Sequence, residues 1–180
     1  MTNREFIQVS ISVLTISDSR SFKDDKSGNL LEKKIIESGH KLFDRKIVKD
    51  EIIDIQNVAK AWIDDPSLEV ILSTGGTGLT GRDVSPEAFR KIFDKEIEGF
   101  GELFRQLSFK KIGTSTLQSR ALAGVANGTY IFVLPGSPSA CKDAWDDILV
   151  HQLDYRHKPC NFVEIMPRLL ENDLGRSGKN

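Results

Sequence analysis

Cysteine and histidine are scarce in this chain, at two and three of 180 residues. Cys141 and Cys160 are too few and too unpatterned for a disulfide framework or a four-ligand zinc site. Cys141 falls on the apolar side of an expected helix and is read as a small core hydrophobe. His40, His151 and His157 show no metal-ligand spacing and receive no role, and no Ser-His-Asp or Cys-His arrangement is recognisable. A charge excess is missing too. With 25 basic against 26 acidic residues, nothing draws the protein to nucleic acid or anionic lipid over long range, and neither is expected as a partner. No apolar run approaches the about 20 residues that a membrane helix needs. The polar start MTNREF lacks the basic-then-apolar order of a signal peptide, so a cytoplasmic protein without membrane attachment is the expectation.

What the chain does have is the ordinary composition of one folded unit. A hydrophobic fraction of 39% with 28% charged residues can bury a core, and the length favours a single domain over residues 1–170, with 171–180 as a frayed tail. Val9, Ile11 and Val13 alternate and then run into Leu14 and Ile16, the mark of a strand becoming buried on both faces. Helical stripes follow at Leu30, Leu31, Ile35 and Ile36, and again from Ile52 to Ile63. Further strands are expected over 43–48, 70–72 and 130–134. Ser85-Pro86-Glu87 reads as a helix start with Ser85 as its cap, and a stripe through Ala88, Phe89, Ile92, Phe93 and Ile97 extends that helix. A second stripe follows Gly99, and a last helix carries Cys141, Ala144, Trp145, Ile148, Leu149 and Leu153 behind Ser137-Pro138. This alternation predicts an α/β fold of three αβα layers, an open and mostly parallel sheet with helices on both faces. Ligands of such folds bind beyond the carboxyl ends of the strands.

One strand ends in LSTGGTGLTGRDVSPEAF, which contains a run of the form G-x-G-x-x-G over residues 76–81. A dinucleotide fingerprint needs its helix to begin within the glycines and an acid about 20 residues on, after a second strand. Here the first cap is Ser85, and Glu96, Glu98 and Glu102 lie in helical sequence, so the match is accidental. A P-loop is excluded as well, because Arg82-Asp83 stand where Lys and Ser or Thr are required. The stretch still offers bare backbone N–H groups that an anion can approach closely. Asp83 beside such a loop would repel a phosphate unless a divalent metal sat between them. Other polar clusters also fall at strand ends: Ser17-Asp18-Ser19-Arg20, Asp50-Glu51 and Pro135-Gly136-Ser137. Singly, each serves turn or cap chemistry; together they would share one rim.

These motifs, LTISDSR (14–20), DKSG (25–28), VKDE (48–51), STGGTGLTGRDVSPEA (73–88), LQSR (117–120) and LPGSP (134–138), resemble the MoaB/MogA family of molybdenum cofactor biosynthesis proteins. That family includes the G domains of gephyrin and of the plant Cnx proteins. FGELFRQLSFKKIGTSTLQSRA, AGVANGT and the late PCNF are closer to the MoaB branch. The resemblance implies an α/β protein that binds molybdopterin and, in active members, transfers AMP from Mg-ATP to the pterin's phosphate, releasing pyrophosphate. It marks Asp50 and Asp83 as catalytic and as the ligands of Mg²⁺, with ATP and molybdopterin as substrates. Gly75, Gly76, Thr77, Gly78, Ser119 and Ser137 would hold phosphate and pterin. Ser17, Asp18, Gly136 and Arg120 join them as candidates from the same rim and motifs, and Arg82 or Arg120 is inferred to add positive charge. Homo-oligomers are implied, trimers generally and hexamers in the MoaB branch, with 99–104 as a candidate interface and other cofactor-biosynthesis proteins as further partners. The substitution of Ser85 for a threonine common among relatives is expected to matter little, either residue capping a helix. Since the family also contains pterin-binding members without turnover, an enzyme and a non-catalytic binding or assembly module both remain open.

Overall fold

Alternation along the first strand sends Val9, Ile11 and Val13 to one side of a sheet and Leu14 and Ile16 to the other, and two cores form accordingly. A computed structural model describes residues 4–171. In it β1 (Ser10–Ile16), β3 (Val70–Thr74) and β6 (Thr129–Leu134) are buried along their whole length. β2 (Lys41–Val48) is an edge strand and stays partly exposed. The sheet order is β2-β1-β3-β6-β5-β4. The first four strands are parallel; β5 (Leu122–Ala126) runs antiparallel to β6, and the two-residue β4 (Lys95–Glu96) pairs antiparallel with β5 at the far edge.

Helices α1 (Lys26–Glu37), α4 (Glu98–Ile112) and α5 (Pro138–Ala144), the last continuing through a π-turn at Trp145–Leu149, cover the Ile11–Val13 face. α2 (Ile52–Ile63) and α3 (Ser85–Arg90) cover the Leu14–Ile16 face. The expected three-layer, mostly parallel α/β architecture is therefore present. Cys141 is buried as expected, and burial pushes its thiol up to about 11. Among the described residues no helix is long and apolar enough to cross a membrane. The segment 172–180, most of the expected tail, lies outside the described residues.

Four local features go beyond or against the expectations. The stretch 122–126, LAGVA, is a strand and forms a hairpin with β6 through Asn127 and Gly128, both at positive φ (45° and 80°), the backbone that such two-residue turns require. Its alanines and glycine have little intrinsic strand preference. At Gly124 a small residue is needed because the Phe93 ring lies on it, and an added Cβ would come within 2.5 Å of that ring. Second, α3 stops at Arg90, so Ile92, Phe93 and Ile97 belong to a turn and the β4 edge rather than to a longer helix. Third, Ser85 is the first residue of α3 and makes no cap bond. Its hydroxyl donates instead to the carbonyl of Gly75 at 2.7 Å. Fourth, within the candidate interface 99–104, Phe100 and Phe104 pack into the chain's own core, Phe100 edge-on to Phe132 with centroids 5.2 Å apart. Leu103 alone among its large apolar residues is exposed.

Candidate functional site

Parallel strands deliver their carboxyl ends to one edge of the sheet, and four of the loops leaving that edge meet around a cleft of about 560 Å³. β1 leads into Ser17–Arg20, β2 into Asp50, β3 into the glycine loop and Asp83, and β6 into Pro135–Ser137. A fifth wall is the 3₁₀ turn Gly113–Gln118 with Ser119. α3 begins four residues beyond Gly81, which removes the dinucleotide-fingerprint reading on geometry.

The glycine loop is clamped on both flanks. Gly75 N–H donates to the Leu134 carbonyl at 3.1 Å, the Thr74 hydroxyl donates to Pro135 O at 2.8 Å, and Ser85 N–H donates to Gly76 O at 3.0 Å. Gly75 and Gly76 sit at φ +108° and +63°. A Cβ on Gly76 would meet the Ser85 hydroxyl and lie 2.9 Å from Asp50 Oδ1, so the Asp50 carboxylate rests directly against this backbone. Past the glycines the chain turns back on itself: Asp83 Oδ2 accepts from Thr80 N–H at 2.9 Å and from the Thr80 hydroxyl at 2.6 Å.

The two central acids are shifted in opposite directions. Burial, followed by the charges of Asp18 and Asp83, raises the Asp50 carboxyl above its ordinary range. Burial also works against ionised Asp83, but the bonds from Thr80 and the Gly78 backbone, with the charge of Arg120, bring it below. Asp18 lies outside the cleft and is lowered by its bidentate pairing with Arg82, at 2.9 and 3.0 Å. Its Oδ1 also accepts from the Asp50 N–H at 3.2 Å.

Of the residues singled out from the sequence, the cleft brings together Ser17, Asp50, Gly75, Gly76, Thr77 and Gly78. It also brings in Asp83, Ser119, Gly136 and Ser137. Asp18, Arg82 and Arg120 do not line it. Arg82 is spread over Asp18 and Glu51 on the outer rim. Arg120 is drawn behind the loop, where Nε donates to Gly78 O at 2.8 Å, Nη2 to Asp83 O at 2.7 Å and Nη1 to Glu87. The inferred positive charge of these two arginines is thus spent on protein acceptors. Ser19 and Arg20, placed on the rim with their cluster but given no role of their own, line the cleft, and so do Ser115 and Gln118, which sequence reasoning missed. The strand-end rule had already brought SDSR to this edge, so Arg20 was within reach; Ser115 and Gln118 come from a stretch with no signal beyond polarity.

The molybdenum cofactor family model described as a "probable molybdopterin binding domain" matches residues 12–155, which span every element of the cleft. The chain belongs to that family. Molybdenum cofactor biosynthesis protein B of Escherichia coli (strain K12) is 53% identical over 158 residues, 88% of this chain and 93% of the relative. A crystal structure of a molybdenum cofactor biosynthesis protein B superposes with a TM-score of 0.81 at 40% identity, over 83% of this chain and 94% of that one. The tungsten cofactor synthesizing protein MoaB from Pyrococcus furiosus superposes at 0.71 with 34% identity, over 79% and 91%.

Among the described residues of this molybdopterin-binding-domain protein, no group of three or more His, Cys, Asp or Glu side chains could hold a metal by itself. Two carboxylates at one cleft nevertheless fit Mg²⁺, which is commonly held by one or two carboxylates together with substrate phosphates. Burial first, and then the charges of Asp18 and Asp83, disfavour the ionised Asp50 carboxyl, and a divalent cation at the cleft would offset both.

Proposed function

We propose that the protein acts in molybdenum cofactor biosynthesis, binding molybdopterin in this cleft and transferring AMP to its terminal phosphate from Mg-ATP. An oxygen of the pterin phosphate attacks the α-phosphorus of ATP, the bond from that phosphorus to the bridging oxygen breaks, and pyrophosphate leaves. A phosphate monoester is largely ionised near neutral pH, so no protein nucleophile or general base is needed, consistent with the lack of any histidine at the cleft. Catalysis is then positioning and charge neutralisation. Asp50 and Asp83 would hold Mg²⁺, which supplies the charge neutralisation at the attacked phosphate. The bare backbone of Gly75–Gly78 admits phosphate oxygens closely, and the hydroxyls of Ser17, Ser119 and Ser137 offer donors around them.

The observation that carries this reading is the meeting of Asp50 and Asp83 with the glycine loop in one cleft. Mixing the purified protein anaerobically with molybdopterin, ATP and Mg²⁺ should release pyrophosphate, and Asp83→Asn should abolish the release with an unchanged circular dichroism spectrum. Pterin affinity without pyrophosphate would instead establish a non-catalytic binding or assembly module working beside a MogA-type enzyme. A cytoplasmic trimer or hexamer that passes its product to a molybdate-inserting protein belongs to the same proposal. Leu103, Phe109, Ile112 and Leu117 expose apolar surface along α4 and the turn after it, which favours self-association, and sedimentation would count the subunits.

A further inference from the structure

The cleft is polarised. Asp50 and Asp83 stand at the entries to α2 and α3, whereas Arg20 stands on the opposite flank, against the start of α1 and the carbonyl of Gly136, with Gly75 and Gly76 between the two sides. Arg20 is the one cationic side chain lining the cleft among the described residues. It is held from behind: Nη2 donates to Gly136 O at 3.0 Å, Nη1 reaches the Ser27 hydroxyl at 3.5 Å, and the fully buried Asp25 lies 3.8 Å away. Ser27 itself donates to Gly136 O at 2.7 Å, which fixes that carbonyl. The Ser17 hydroxyl accepts from the backbone N–H groups of Ser19 and Arg20, at 3.3 and 3.2 Å, and sets the direction of the loop.

Asp25 is already satisfied at short range by Arg45 at 2.9 Å, by the Thr15 hydroxyl at 2.6 Å and by the Gly28 N–H at 2.9 Å. It therefore orients Arg20 without neutralising its outer edge. Among the described residues the Nε–H of Arg20 finds no acceptor, its side chain keeps 32% of its exposure, and the cleft residues nearest in sequence are the hydroxyl carriers Ser17 and Ser19. A preorganised guanidinium beside hydroxyl groups, on a flank of the cleft without a lining carboxylate, suits a phosphate monoester dianion. The opposite flank cannot take such an anion bare, because Asp50 and Asp83 repel it; a polyphosphate already carrying a divalent cation can sit there.

We infer that Arg20 anchors the phosphate monoester of the acceptor substrate, so that the pterin enters with its phosphate on the Arg20 flank while the nucleotide approaches from the Asp50–Asp83 flank. The identity of the phosphate's carrier rests on the molybdopterin reading above; the anchor itself rests on the geometry of Arg20. Anaerobic titration calorimetry on wild type, Arg20→Gln and Arg20→Lys, with molybdopterin, its dephosphorylated form, Mg-ATP and inorganic phosphate, tests both. Arg20→Gln should weaken molybdopterin binding about ten- to hundredfold, the worth of a charge-assisted hydrogen bond, and Arg20→Lys less. The dephosphorylated pterin and Mg-ATP should bind all three proteins within about twofold of one another. A wild-type preference for the phosphorylated pterin that survives in Arg20→Gln overturns the anchor and leaves the pterin reading standing, as does a loss confined to Mg-ATP. If wild type binds neither pterin, the functional proposal falls; Arg20-dependent phosphate binding then still supports the anchor, and phosphate binding indifferent to Arg20→Gln overturns it.

Discussion

Arg120 donates from Nη2 to the backbone carbonyl of Asp83 at 2.7 Å while its Nε holds Gly78 O at 2.8 Å, so one guanidinium spans the loop between the glycines and the cleft acid. Its own N–H completes the clasp by donating to Thr77 O at 3.2 Å. Arg120→Ala is expected to cost about 1–2 kcal/mol of stability, set by the half-buried carbonyls it abandons, with little from the exposed Glu87 contact. The larger effect is on the site, where Asp83 loses its fixed placement, and the proposed adenylylation should drop at least tenfold at saturating substrate. Arg120→Lys should rescue stability more than turnover, because a single ammonium cannot serve both carbonyls and Glu87. Equal rescue of both would show that only charge was needed.

Gly76 has no room for a side chain. At φ +63°, with the Ser85 hydroxyl and Asp50 Oδ1 where a Cβ would go, Gly76→Ala should lower unfolding free energy by about 2–4 kcal/mol and displace the Asp50 carboxylate. Urea denaturation together with Mg²⁺-dependent turnover checks this. A variant as stable and active as wild type would show that the loop relaxes freely.

Asp50 gives a pH dependence of unusual sign. Because its folded carboxyl is raised, first by burial and then by Asp18 and Asp83, the folded state holds this proton more readily than the unfolded chain. Stability contributed by this group therefore falls as pH rises from the usual 3.8 through the raised value, and stays reduced at neutral pH. Asp50→Asn should thus be more stable than wild type at pH 7, nearly equal to it near the foot of that window, and inactive. Melting curves at the two pH values decide; a variant less stable at pH 7 would mean that neither burial nor repulsion disfavours the carboxylate there.

Thiol chemistry separates the two cysteines. Cys141 is buried with its thiol pushed up to about 11, and Cys160 is exposed. One thiol per chain should react with a maleimide under native conditions and both after denaturation, read by mass spectrometry. Rapid double labelling of the native protein would place Cys141 outside the core.

Much of the architecture was legible because it follows from periodicity. Buried strands and the Ile52–Ile63 helix announce themselves through spacing alone, and Ser137-Pro138 starts α5 with the Ser137 hydroxyl accepting from Ala140 N–H at 3.2 Å as the residue types suggest. The strand β5 escaped because small residues carry no pattern; what makes LAGVA a strand is its pairing with β6 and β4, and the Phe93 ring on Gly124 is likewise a contact from outside the strand.

By itself, the sequence determined the α/β layering, the edge at which the strands end, and the chemistry waiting there: glycines at the turn after β3, two aspartates, and serines at the ends of β1 and β6. Those are properties of neighbouring residues along a chain. Which way the charged side chains face was decided only in three dimensions, since a guanidinium reaches several ångströms and goes to whichever acceptors the fold leaves unsatisfied. Arg82 went outward to Asp18 and Glu51, Arg120 went behind the loop to the carbonyls of Gly78 and Asp83, and Arg20, held at Gly136 O, was left facing the cleft.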